Sequence, residues 1–364
     1  MNITIVAGAR PNFMKIAPII EAINEKKKCG FDINFRLVHT GQHYDKNLSD
    51  TFFEELNIPY PDVNLDVKSG TQAEQTAGIM IGFEKELAAN RCDLVMVVGD
   101  VTSTMACAIV AKKAGIDVAH IEAGIRSGDM KMPEEINRIV TDSITDYFFT
   151  TSKYANDNLV HLGISKNNIF FVGNVMIDTL LKNLSRLTKP KLWVDLNLKE
   201  KKYLVMTLHR PSNVDEEKQL KDLINQIVSL GKNYQIIFPV HPRTKKLLDH
   251  LNLNFNNLHY VKPLGYLEFN YLVKNAFAVL TDSGGITEET TVLNVPCITL
   301  RNSTERPETC EIGTNVLVGN HPGKIKTAFE NLLAGSWKQG QIPELWDGNT
   351  AQRITNKIVE IYNL

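Results

Sequence analysis

Long apolar runs are missing from this chain. No stretch approaches the roughly 18 residues of a membrane-spanning helix. The opening, MNITIVAGARP, has no basic segment leading into an apolar one and a cleavage site. Neither membrane insertion nor export is expected. An excess of either charge is also missing: 40 basic residues face 41 acidic ones, for a formal charge of -1, so no overall field points toward nucleic acid or an anionic membrane. Cys29, Cys92, Cys107, Cys297 and Cys310 form no CxxC pair and no disulfide framework, as expected of free thiols in a reducing cytoplasm. There is no GxxxxGK[ST] phosphate loop and no GxGxxG turn, which disfavours an ATPase or a dinucleotide enzyme. HExxH is absent as well. His120 and Glu122 stand two apart on an expected strand, and His39 and His43 bracket a glycine-containing loop, but no third ligand has a diagnostic spacing. No metal and no cofactor are implied.

What the chain does contain is a repeated rhythm. Its 364 residues exceed what one core usually holds, so two domains are expected. ITIVA (3 to 7) reads as a buried strand, and the segment after Pro11 places Phe13, Ile16, Ile20 and Ile23 near one helical face. Further strands are expected at 35–39, 93–99, 117–122, 146–151 and 168–173, with helices near 47–56, 73–90, 102–114, 134–144 and 152–162. A second series of strands falls at 203–208, 235–240, 257–261, 276–281 and 297–300. Between the series, SRLTKPKLWVDLNLKEK (184 to 200) is basic and proline-containing and reads as a linker. Continuous apolar strands separated by helices argue for an α/β fold with mostly parallel sheets covered on both faces.

The polar clusters collect where strands end. GARPNFMK, HTGQHYD, GDVTST and HIEAGIRSGDMKMPEEINR follow strands of the first series, and HRPSN, HPRTK, DSGGITEE and RNSTERPE those of the second. In open parallel sheets, ligands bind beyond the carboxyl ends of the strands, where helix N-termini present free N–H groups. DSGG is the most readable of these. Its glycines allow close backbone approach, and Ser283 with the first helical N–H groups can hold phosphate oxygens. Glu288 and Glu289 would repel phosphate, but a carboxylate beside it can accept hydrogen bonds from a ribose diol, which points toward a nucleotide.

Taken together, these segments resemble the non-hydrolysing UDP-N-acetylglucosamine 2-epimerases, from the first strand to beyond residue 308. The resemblance implies two Rossmann-like domains with parallel sheets facing a central cleft, in a glycosyltransferase B-like arrangement. The expected domains are 1–190 and 191–350, with a C-terminal helix at 351–364 packing back on the first. It further implies a homodimer, a UDP-sugar substrate and a cytoplasmic setting. The implied reaction is reversible C2 epimerisation of UDP-N-acetylglucosamine to UDP-N-acetylmannosamine, through elimination of UDP, a 2-acetamidoglucal intermediate and re-addition of UDP. That chemistry needs proton-transfer groups on both faces of a planar intermediate, so several carboxylates in one site suit it.

By the same resemblance, Asp100, Glu122, Glu134 and His209 stand at catalytic positions. Arg10, Lys15, Arg138, Ser283, Gly284, Gly285 and Glu289 stand at substrate-binding positions. Gln42, Arg210 and His241 match a site at which a second substrate molecule activates some bacterial members. Each assignment has a structural alternative: Asp100 and Glu134 can stabilise helix starts, His209 can bond to backbone, and His120 reads as a scaffold group. HRPSN departs from the common HRREN, and SGTQAEQT (69 to 76) departs from a usual glycine-glutamine pair near an arginine. These departures leave room for a modified substrate such as UDP-2,3-diacetamido-2,3-dideoxy-glucuronic acid.

Overall fold

The structure, a computed structural model, describes residues 1–41, 53, 55–214, 216–240, 242–251 and 253–364. Gln42, His43, His241 and most of the helix expected at 47–56 lie outside the described residues, and of Arg10 only the backbone is described. The chain divides into two compact units, Met1–Lys182 with Glu344–Leu364, and Asn183–Pro343. The division falls before residue 190, and the returning segment begins before residue 351.

In the first unit, seven strands form one parallel sheet: β1 (Asn2–Ala7), β2 (Asn34–His39), β3 (Val63–Asn64), β4 (Leu94–Val98), β5 (Asp117–Ile121), β6 (Tyr147–Thr150) and β7 (Ile169–Phe171). Their order is β3-β2-β1-β4-β5-β6-β7. Leu94, Val95, Met96 and Val97 are all fully buried, as their unbroken apolar run requires of a strand covered on both faces. The strand order reverses at β1 and β4, which pair directly. At such a reversal the loops leaving the two strands diverge and open a crevice at their carboxyl ends.

The C-terminal helix Thr350–Ile361 belongs to this unit and packs on the helix Arg10–Lys28. Its first turn is held by Asp178, whose carboxylate accepts from the N–H groups of Thr350 (3.1 Å) and Ala351 (2.7 Å). Fully buried Trp346 donates its indole N–H to the Thr151 carbonyl at 3.1 Å. Ile354 and Ile358 bury the apolar face.

The second unit repeats the plan with β8 (Tyr203–Thr207), β9 (Gln235–Pro239), β10 (Leu258–Val261), β11 (Ala278–Thr281), β12 (Cys297–Thr299) and β13 (Asn315–Leu317). These are parallel in the order β10-β9-β8-β11-β12-β13, with the reversal at β8 and β11. One expectation is corrected here. The stretch 184–200 is not a bare linker but carries a short helix, Lys191–Asp195, inside this unit. The reason is aromatic: Trp193 meets Tyr203 and Tyr271 edge-on, both at 5.4 Å between ring centroids, and buried Leu198 joins the same core. The basic residues between these apolar anchors disguise them.

Candidate active site

The first unit's polar groups converge on its β1/β4 reversal. Asn12, in the first turn of the helix after β1, accepts from the N–H groups of Gly8 (3.1 Å) and Ala9 (3.0 Å) and donates to the Val98 carbonyl at 3.0 Å. One buried amide thus ties the loop after β1 to the end of β4. From the next turn of that helix, Lys15 reaches Glu122 at 2.5 Å, with the carboxylate almost wholly buried. Glu122 holds its position through an unusual backbone, φ 69°, in the left-handed region that side chains other than glycine avoid. Its N–H donates to the Phe149 carbonyl at 3.0 Å, which anchors the turn. Such strain costs about 1–3 kcal/mol and persists where surrounding structure enforces it, commonly at functional sites.

Gly99 is demanded by this arrangement. It has φ 70°, and a Cβ there would lie 3.1 Å from the Lys15 ammonium and 3.8 Å from the Glu122 carboxylate. The next residue, Asp100, pairs with Arg138. Arg138 in turn holds Glu135 at 2.7 Å. Glu135 also accepts from the N–H groups of Ser127 (2.9 Å) and Gly128 (3.0 Å). Burial alone would raise its pKa, but these donors hold it below the ordinary glutamate value. Glu135 is therefore the fixed anion of the pair in PEEINR, binding its loop to Arg138. Its neighbour Glu134 is half-buried on the first turn of the helix Pro133–Ile144.

His120 supports the site from behind. Its Nε2–H donates to the Gly99 carbonyl at 2.8 Å and its Nδ1 faces Asp142 at 2.7 Å. Asp142 also pairs with Arg126 at 2.7 Å. Burial would raise the Asp142 carboxyl, but His120 and Arg126 hold it below the usual aspartate value. His120 thus fixes the turn that carries Asp100.

At the β8/β11 reversal of the second unit, His209 and Asp282 meet. The His209 Nδ1 lies 2.7 Å from an Asp282 carboxylate oxygen. The same carboxylate accepts from the N–H groups of His209 (3.0 Å) and Arg210 (2.9 Å) and from the Asn213 amide (2.9 Å). Asp282 is fully buried, whereas the His209 side chain is 55% exposed. With Nδ1 engaged by Asp282, any further hydrogen bond of the ring falls to Nε2. Burial pushes Asp282 up, but His209 and the other donors prevail and hold it below the ordinary value.

Ser283 immediately precedes the helix Gly284–Val292 without a capping bond from its side chain, so Ser283, Gly284 and Gly285 stand together at a helix start. A Cβ on Gly284 would lie 3.9 Å from an Arg301 guanidinium nitrogen, which places a cation beside that start. Arg301 is held in both directions by Glu305, at 2.6 and 2.7 Å. Glu305 also stands 3.7 Å from Arg210, and the rest of the matched activating set, Gln42 and His241, lies outside the described residues. The two helix glutamates diverge. Glu288 pairs with Arg306, while Glu289 turns to the helix Tyr266–Asn275, whose Asn270 donates to it at 3.3 Å.

Sequence reasoning missed Asn12, Asp282, Arg301 and Asn270. Asp282 carried a readable signal, since it is the residue between the strand and the two helix-starting glycines. The others did not: Asn12 meets the Val98 carbonyl and Asn270 meets Glu289 across long stretches of chain, and Arg301 comes beside Gly284 only through packing.

Comparisons with known proteins give the family. A family model described as UDP-N-acetylglucosamine 2-epimerase matches residues 25–359. The UDP-N-acetylglucosamine 2-epimerase of Methanocaldococcus jannaschii is 43% identical over 366 aligned positions, covering 97% of this chain and 98% of that one. The UDP-2,3-diacetamido-2,3-dideoxy-D-glucuronate 2-epimerase of Pseudomonas aeruginosa is 38% identical over 322 positions, covering 88% of each chain. Among solved structures, the M. jannaschii enzyme in complex with UDP-GlcNAc and UDP superposes with a TM-score of 0.88 at 42% identity, covering 99% of this chain and 100% of that one. With two parallel Rossmann-like sheets, polar residues massed at both strand-order reversals and kinship along nearly its whole length, this chain belongs to the non-hydrolysing UDP-N-acetylglucosamine 2-epimerase family of isomerases.

Proposed function

We propose that this chain interconverts UDP-N-acetylglucosamine and UDP-N-acetylmannosamine by anti elimination and re-addition of UDP. The observation that carries the reading is the buried Lys15–Glu122 pair beside Asp100, at the β1/β4 reversal. In the elimination, a carboxylate takes the C2 proton, the C–H electrons form the C1–C2 double bond, and the C1–O bond breaks with its electron pair leaving on UDP. In the return, C2 accepts a proton on its other face and a UDP oxygen attacks C1. The C2 proton is weakly acidic, so a base held against it by the surrounding structure gains most from fixed placement. Glu122, fixed by its strained turn and by Lys15, and Asp100, fixed by Arg138, supply two rigid carboxylates. Glu134 is assigned to proton transfer with them. Arg10 and Arg138 complete the cationic surroundings of the substrate.

The UDP half of the chemistry falls to the second unit. The Ser283 hydroxyl and the N–H groups at Gly284 and Gly285 suit the diphosphate, and His209, held by Asp282, can supply a proton or positive charge to the departing oxygen through Nε2. Glu289 is assigned to the ribose hydroxyls.

A second reading, the same chemistry on a UDP-diacetamido-uronic acid, is favoured by the 38% identity to the P. aeruginosa enzyme. Incubation with each UDP sugar in deuterated water, followed by NMR, decides. The first reading expects deuterium at C2 of UDP-N-acetylglucosamine and approach to equilibrium with its manno epimer. Free UDP and free N-acetylmannosamine in equal amounts would establish hydrolysis instead, and turnover of the uronic acid alone would select the second reading.

The family resemblance also supports a homodimer and a cytoplasmic setting for the enzyme. It supports an activating second site at Gln42, Arg210 and His241. Light scattering tests the assembly, and a sigmoidal dependence of rate on substrate tests the activation.

A further inference from the structure

One face of Gly284 is open. Apart from its chain neighbours and the backbone of its own helix, the only heavy atom of the described residues within 4 Å of a Cβ built there is Nη1 of Arg301, at 3.9 Å. A ligand oxygen that reaches the N–H groups of this helix start therefore comes up beside a guanidinium. Arg301 lies in the loop after β12, and its side chain is 8% exposed. Glu305, equally buried, takes it end-on: Nη1 donates to one carboxylate oxygen at 2.6 Å and Nη2 to the other at 2.7 Å. Two parallel bonds fix the plane of the guanidinium. Each terminal nitrogen carries two N–H groups, so the fork leaves one on Nη1 unused by any hydrogen bond among the described residues. We propose that Arg301 is a further binding residue of the second unit, donating from Nη1 to a phosphate oxygen of the UDP moiety at the open face of Gly284, with Glu305 as its positioning residue. This rests on the assignment of that helix start to the diphosphate made above.

The local charges favour an anion there. Glu305 also lies 3.7 Å from Arg210, so one carboxylate faces two guanidinium groups and the three together carry a net positive charge. Other carboxylates of these loops are engaged elsewhere: Asp282 takes His209, the Arg210 N–H and Asn213, and Glu288 pairs with Arg306. Stability alone is a weak account of the Arg301–Glu305 pair, because the cost of desolvating two charges offsets their attraction. Placement is a better one. An arginine already oriented by its partner loses less freedom on meeting a phosphate. As the C1–O bond breaks, negative charge grows on UDP, and a cation fixed beside it stabilises that charge without having to reorganise.

Calorimetry with UDP and ligand-observed NMR titration with uridine test this on the parent, Arg301→Lys, the double variant Arg301→Gln with Glu305→Gln, and Gly284→Ala. Uridine has no phosphate and reads the rest of the nucleotide subsite. Arg301→Lys keeps a charge but cannot form the fork, and should bind UDP about tenfold more weakly with uridine within about twofold of the parent. The double variant removes both members of the buried pair, so neither is left unpaired. It should bind UDP about 10- to 100-fold more weakly, again with little change for uridine. Position 284 is not in the left-handed region and the added methyl group meets open space, so Gly284→Ala should fold as the parent does. By filling the space the phosphate needs, it should weaken UDP about tenfold or more. Parental UDP affinity in the double variant, or equal losses for UDP and uridine, would overturn the Arg301 contact. Parental UDP affinity in Arg301→Lys alone would overturn the positioning by Glu305. Parental UDP affinity in Gly284→Ala would instead sink the diphosphate reading of the helix start. Should Arg301→Lys not fold, the double variant decides by the same comparison of UDP with uridine.

Discussion

Asp282 lies fully buried beneath the half-exposed ring of His209 and grips it twice, through Nδ1 at 2.7 Å and through the residue's own N–H at 3.0 Å. Ring and backbone are therefore set by one carboxylate. Asp282→Asn should lower turnover by about 100-fold, because an amide cannot stabilise a positively charged imidazole. Affinity for UDP should change much less, as calorimetry beside initial rates will read. The same contact has a pH signature. The Asp282 pKa is held below its ordinary value, so its stabilising effect is complete above the unfolded value of about 4 and is lost as pH falls through the folded one. Thermal melts of parent and variant should converge below about pH 4.

The three carboxylates separate chemistry from binding. Asp100→Asn, Glu122→Gln and Glu134→Gln should each lower turnover by about 100-fold or more while leaving UDP affinity nearly unchanged. Near-normal turnover in Glu122→Gln would end its assignment. Because Glu134 stands in a helix's first turn, retained turnover in its variant alone would assign it to helix stabilisation.

Trp346 tests whether the returning segment is part of the first unit's stability. Its indole is fully buried and bonded to Thr151, so Trp346→Ala should cost about 3–5 kcal/mol in denaturant unfolding. A loss below about 1 kcal/mol would show the segment to be dispensable.

Exhaustive chelation with no added nicotinamide should leave turnover intact, since the chain has neither a metal-ligand spacing nor a dinucleotide turn. Recovery of a lost activity by one divalent ion would overturn that expectation.

Period and punctuation were legible along the chain because they depend on neighbours in sequence. Unbroken apolar runs such as LVMVV became buried parallel strands, and the polar clusters fell at their carboxyl ends. Two strands went unread, Val63–Asn64 and Asn315–Leu317, of two and three residues. The stretch around Trp193 misled because its lysines and single proline outweighed a few apolar residues whose value lies in touching Tyr203 and Tyr271. The order of polar segments was also enough to place the family, and it singled out Asp100, Glu122, His209 and Glu289 as site candidates.

What only the tertiary structure decided is which partner each of those residues has. Nothing local distinguishes Glu134 from Glu135 or Glu288 from Glu289. Packing assigns Glu135 to Arg138 and Glu288 to Arg306, and turns Glu289 to Asn270. The left-handed backbone at Glu122 and the grip of Asp282 on His209 likewise arise from strands and loops distant in sequence. Periodicity is a property of adjacent residues and can be read along the chain. The charge and orientation of a buried side chain depend on groups that only folding brings within a few ångströms.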